Sequence, residues 1–143
     1  MLFHWVYEHD KDFIGTRIKD AKLNKKKLLS FIKKNPKKDI AITQMDVCMN
    51  ENNCYWPQIT DYELLYEQYP NAVYILNTRD PRDILNSMKK WQDFDKRMFK
   101  YNPELFVSFT GPNDDKMIKL IQTHYSNVIK FFSQQKKSKF LVY

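Results

Sequence analysis

Apolar positions along the chain recur with two different periods. After Gly111-Pro112, the residues Met117, Leu120, Ile121, His124, Tyr125, Val128, Phe131 and Phe132 are spaced by threes and fours, which predicts an amphipathic helix of about four turns. A second such series follows Gly15-Thr16: Ile18, Leu23, Leu28, Leu29 and Ile32 share one side until Asn35-Pro36 ends it. Gly15-Thr16 reads as a turn, with Thr16 as the N-cap. Thr60-Asp61-Tyr62-Glu63 fits a capping box heading a helix to about Tyr69, where Pro70-Asn71 interrupts. Asp80-Pro81-Arg82-Asp83 is another helix start: Asp80 caps, Pro81 needs no partner at the first helical position, and Asp83 suits the positive end. Ile84, Leu85, Met88 and Trp91 form the inner side of that helix.

Short unbroken apolar runs lie between these helices. Asp39 to Thr43, Ala72 to Leu76 and Lys139 to Tyr143 read as strands, the middle one buried on both faces. Gln44 to Ile59 shows no period and reads as a loop, while Pro103 to Phe109 fits helix or strand. Strands alternating with helices, joined by connections long enough to cross over, predict an α/β fold with a mostly parallel sheet flanked by helices. With neither internal repeats nor linkers, residues 1–143 are expected to form a single domain.

The composition supports one core: 143 residues, 43% of them apolar. Net charge is +7, which points towards an anionic partner. Ten basic residues and one acid fall between Thr16 and Lys38, so this segment carries +9 and the rest of the chain −2. The basicity belongs to one predicted helix, whose other reading is a solvated face. Cys48 and Cys54 are too few for a disulfide framework and lack zinc spacing, so they are expected as reduced thiols. No run approaches the roughly 18 apolar residues of a membrane span, and Met1 to Asp10 has no leader pattern. The expectation is a soluble, intracellular, cytoplasmic protein.

Candidate chemistry concentrates between Tyr69 and Ser87, where a strand ends at Thr78-Arg79 and a helix begins at once. Ligands of parallel sheets bind at the carboxyl ends of strands, and a helix start there offers amide groups and a positive dipole end. Arg79 sits where an anion would be read. Ser87 lies two turns on, roughly 10 Å away, within reach of an extended arginine. Together they could hold a phosphate against the helix flank. The same residues also suit a structural role, with Arg79 paired to Asp80 or Asp83 and Ser87 bonded to its own backbone.

Strand, Arg79, Asp80-Pro81-Arg82-Asp83, then Ser87: this segment resembles the one with which PAPS-dependent sulfotransferases hold the 3′-phosphate of their cofactor. Tyr55-Trp56-Pro57 and Leu64 to Ala72 are similar to a divergent branch of that family. The likeness runs from about residue 36 to 92 and is weaker at Tyr125 to Phe132 and Phe140 to Tyr143. It implies a P-loop NTPase-like fold, PAPS as sulfuryl donor without a metal, and contact of Arg79 and Ser87 with the 3′-phosphate of PAPS or PAP.

The family also cradles the 5′-phosphosulfate in a loop rich in Gly, Thr and Lys. This sequence has only Gly15 and Gly111, and neither lies in such a loop. The expectation is therefore an incomplete or divergent member, not competent as an isolated chain, whose phosphate loop and strand would precede Met1 or come from a second chain. The candidate base for the acceptor's proton is Asp46, whose more common reading is a plain loop acid. His4 and His9 are scattered, and His124 is expected as a hydrogen-bonded core residue. No metal-ligand set is present, and the acceptor is not legible. The alternative function is a non-catalytic protein using the basic 16–38 helix on nucleic acid or an acidic membrane surface.

Overall fold

Among the described residues, two small two-stranded sheets, one antiparallel and one parallel, anchor the helices. The computed structural model describes residues 14–32, 42, 45–91 and 93–143. The strand expected at Asp39 to Thr43 falls largely outside these residues.

The antiparallel pair, β1 (Val47–Asn50) and β2 (Asn53–Tyr55), occupies the stretch expected to be a loop. Its strands are too short to display a period. Asn50 turns the chain by accepting a hydrogen bond from the Asn52 amide at 3.0 Å. Cys48 and Cys54 stand opposite each other across the ladder and are joined as a disulfide, which corrects the expectation of reduced thiols. The bridge is buried in the main core with Trp56, Leu85, Phe94, Met98, Phe106 and Met117.

Helix α1 (Ile14–Leu23) corrects the single basic helix. Lys25 adopts a left-handed conformation, φ 54°, and the Lys26 amide reaches back to the Ala21 carbonyl at 2.8 Å, which closes the helix. The chain then folds under, burying Leu28 with Ile18 and Leu65. Gln68 Oε1 and the Tyr69 hydroxyl accept the amides of Leu28 and Leu29 at 2.8 and 3.0 Å. Leu23, expected inside, is exposed. Lys19 and Lys22 are drawn to the Asn52 carbonyl and the Asp61 carboxylate. Thr16 lies within the helix and does not cap it. Gly15 is likewise no turn: a Cβ there would stand 2.5 Å from the Asp46 carbonyl carbon, so glycine lets α1 lie against the chain entering β1.

The capping box also fails to form. Thr60 is the last residue of a one-turn helix, α2 (Pro57–Thr60), and its hydroxyl bonds the Trp56 carbonyl and the Asp61 carboxylate. Asp61 precedes α3 (Tyr62–Gln68) with its side chain committed elsewhere.

Beyond this point the expected elements appear. Strand β3 (Val73–Leu76) leads to α4 (Pro81–Lys90), capped by Asp80 Oδ1, which accepts from the amides of Arg82 and Asp83 at 2.9 and 3.2 Å. Helix α5 (Phe94–Tyr101) was not expected, and Pro103–Phe106 is a 3-10 turn. Helix α6 (Asn113–Ser133) is longer than four turns, at 21 residues. Lys89 meets Asp114 at 2.6 Å, tying the end of α4 to the start of α6. Trp91, expected on the inner side of α4, is exposed, although its ring lies 5.0 Å from that of Phe94.

Strand β4 (Lys139–Val142) pairs in parallel with β3, Val73 opposite Lys139 through Leu76 opposite Val142. Helix α6 covers one face of this pair, where Tyr74, Leu76 and Phe140 meet Val128 and Phe132, with Phe132 stacked on Phe140 at 4.5 Å. The other face is open: Val73, Ile75 and Leu141 are 57%, 65% and 58% exposed. Strand β3 is thus buried on one face and not on both. The fold is α/β, but among the described residues only β3 and β4 pair in parallel, so a mostly parallel sheet is not observed. No described helix is long and apolar enough to cross a membrane.

Gly15→Ala tests the α1 contact. Helix propensity favours Ala by about 1 kcal/mol, but the clash is with backbone that cannot rotate away, at a cost of about 1–3 kcal/mol. Urea denaturation should give a lower midpoint with an unchanged slope; a higher midpoint would contradict the close approach.

Candidate functional site

Arg79 leaves the carboxyl end of β3 and is fixed through its main chain. Its amide donates to the Tyr125 hydroxyl at 3.2 Å, and that hydroxyl lies 3.4 Å from the Arg79 carbonyl, so α6 clamps the strand exit. The neighbouring Thr78 amide and hydroxyl both donate to the Tyr143 carbonyl, continuing the parallel pairing beyond β4. The guanidinium is left 61% exposed. Its ion pair is with Asp83, Nε to Oδ2 at 3.8 Å, and Asp83 is itself 56% exposed. A pair this long and this wet contributes little.

Ser87 is exposed on α4 and makes no hydrogen bond to a described residue, so the backbone bond considered for it does not form. Arg79, Asp83 and Ser87 are spaced by four, so from the first turn of α4 onward they follow one row along the helix. The row presents a cation, a carboxylate and a hydroxyl in that order. Asp80 has taken the two amides at the helix start, so an anion here would be held by side chains and not by the helix terminus.

Asp46 lies apart from this row. It precedes β1, against Gly15, and its Oδ1 accepts from Gln58 Nε2 at 3.2 Å. Burial pushes its carboxyl pKa up, overcoming the opposing effect of its backbone and Gln58 hydrogen bonds. No hydrogen bond or ion pair among the described residues links it to Arg79 or Ser87.

Neither glycine builds a phosphate loop. Gly15 sits within α1, and Gly111, at φ 96°, precedes the acidic first turn of α6 with Asp114 and Asp115. The described residues contain no group of three or more metal-ligating side chains.

A family model described as a sulfotransferase domain matches residues 16–143. The chain belongs to the sulfotransferase family. No curated protein and no solved structure matches it. In this sulfotransferase-family chain the match takes in most of α1 as well as the 36 to 92 stretch and the weaker likeness at Tyr125 to Phe132 and Phe140 to Tyr143.

A cleft of about 800 Å³ lies between α3 and α6 of this sulfotransferase-family chain, and Arg79 is not among its lining residues. Asp61, buried, forms part of its lining. Lys22 Nζ meets Oδ1 at 2.5 Å, while the Tyr55 and Thr60 hydroxyls donate to Oδ2 at 2.7 Å each. Burial alone would raise the Asp61 pKa, but the bonds from Lys22, Thr60 and Tyr55, with the Lys22 charge, outweigh it and hold the carboxyl below its ordinary range. His124 also lines the cleft. Expected as a hydrogen-bonded core residue, it is only partly buried and makes no hydrogen bond to a described residue; burial holds its imidazole pKa down. The cleft was invisible in the sequence because its walls come from two helices about 60 residues apart.

Asp61→Ala should cost about 1–3 kcal/mol in urea denaturation, since it leaves the Tyr55 hydroxyl without its acceptor, while Thr60 keeps the Trp56 carbonyl and the half-exposed Lys22 returns to water. The stability Asp61 provides is complete above its unfolded pKa of about 4 and is lost as pH falls through the lower folded value. Asp61→Asn should flatten that acid slope, and an unchanged slope would show that the carboxylate is not charged in the fold.

Proposed function

We propose that this sulfotransferase-family chain grips the 3′-phosphate of PAPS, or of the product PAP, with Arg79 and Ser87, serving sulfuryl transfer to an acceptor. The observation that carries the reading is the exposed row of Arg79, Asp83 and Ser87 leaving the carboxyl end of β3. PAPS, when bound, supplies the activated sulfuryl group. Arg79 forks onto two phosphate oxygens and Ser87 donates to a third. The guanidinium gives up only a long, solvent-screened contact with Asp83, so the exchange favours the phosphate. Tyr125 fixes the backbone from which Arg79 reaches.

Asp46 is the group we assign to the acceptor's proton, because a carboxyl whose pKa burial has raised is a better base than an ordinary one. Transfer also needs fixed positive groups on the oxygens where charge builds up. The surroundings of Gly15 and Gly111 offer no such loop, so we expect the isolated chain to bind nucleotide without turnover. We further propose that a second chain supplies a phosphate loop and strand, and the apolar face left open on β3 and β4 gives such a chain a surface to pack on.

Isothermal calorimetry with PAP tests the site. Arg79→Ala should weaken binding about ten- to a hundredfold, in line with the loss of charge-assisted hydrogen bonds, and Asp83→Asn should tighten it several-fold. Equal heats from wild type and Arg79→Ala would remove the assignment. Sedimentation at rising concentration tests the second chain: association is expected, and a monodisperse monomer throughout would count against it.

A further inference from the structure

We infer that the cleft between α3 and α6 binds a small organic cation with an aromatic body, at a place distinct from the Arg79 row. Its volume, about 800 Å³, falls within the range that accepts a compact organic ligand. One wall is built from ring contacts within the protein. Phe131 of α6 meets Tyr62 and Tyr66 of α3 edge to face, with centroids 5.5 and 5.7 Å apart, so these rings hold one another in place. A preformed ring wall binds a flat apolar body without the entropy of ordering side chains.

Charge selects the class of ligand. Glu63 and Glu67, one turn apart on α3, stand exposed along the cleft, and no Lys or Arg is among its described lining residues. The net charge of +7 sits in residues 16–38, which carry +9, so the remainder of the chain, from which the cleft lining is drawn, is net −2 and does not repel a cation. Aromatic faces add attraction for an ammonium group. His124 lies in the same lining with its ring 6.2 Å from Tyr62 and no hydrogen bond to a described residue, leaving a ring nitrogen available to a ligand hydroxyl or ammonium. An acidic pair on a bare helix would be a solvated surface; set beside a ring-lined cavity, it becomes one end of a binding site.

The test uses tryptamine, its neutral alcohol analogue tryptophol, and indole-3-propionate, titrated into the full chain and followed by amide chemical shifts. Tryptamine should move the amides around Glu63, Glu67 and His124, with tryptophol about tenfold weaker and the carboxylate weakest. The variant Glu67→Gln should weaken tryptamine several-fold and leave tryptophol unchanged, because Glu67 is exposed on α3. Equal affinities for amine and alcohol, shifts confined to other surfaces, or no binding up to about 10 mM would overturn the proposal. Arg79→Ala should bind tryptamine as wild type does, so this site and the PAP site stand or fall separately.

Discussion

Asp61 is almost sealed from water, yet it keeps its charge because three donors converge on its two oxygens. Those donors come from different places: Lys22 from α1, Tyr55 from β2 and Thr60 from the end of α2. A buried carboxylate without them would be protonated or expelled. With them it fixes where α1 crosses the hairpin and where α3 begins. Gly15 belongs to the same constraint, because α1 can approach Lys22's partner only if its first turn lies directly on the Asp46–Val47 backbone. The wall of the cleft formed by α3 therefore depends on the contacts that hold Asp61 at the start of that helix.

The Arg79 corner is held differently. Here the side chains that would do chemistry are exposed and loosely engaged, while the backbone carrying them is tied to α6 through Tyr125 and to the end of the chain through Thr78. Rigid main chain under a lightly committed guanidinium suits an anion-reading position, since little has to be broken before a ligand is met. His124 and Tyr125 are consecutive on α6, so one helix contributes both to the strand exit and to the cleft.

What could be read from the sequence was what local chemistry specifies. Asp80-Pro81 announces α4 because cap and first-turn residues act within four positions, and the long series from Met117 to Phe132 announces α6 because its period repeats often enough to be heard. The hairpin was missed because strands of four and three residues show no alternation, and the disulfide because pairing Cys48 with Cys54 requires knowing that the chain reverses at Asn52. The end of α1 was missed because Lys25, not glycine, takes the left-handed position. Helix α5 left a signal in Phe94 and Met98, four apart, that its dense charges obscured. Arg79 and Ser87 were singled out by the strand-to-helix junction and by the family resemblance, and the structure leaves both exposed. Asp83, midway between them, was equally visible at that junction, but its pairing needed coordinates.

The parallel pairing of β3 with β4 also governs the order in which the molecule can assemble. Val73 and Lys139 are 66 positions apart, whereas Cys48 and Cys54 are separated by 6. By loop-closure entropy the longer circuit costs about 2 kcal/mol more, and nothing repays that until α6 has formed the surface on which both strands lie. The hairpin and the helices can thus organise early, while β3 waits as an uncompensated apolar segment for its distant neighbour, making sheet closure the step most vulnerable to competing encounters.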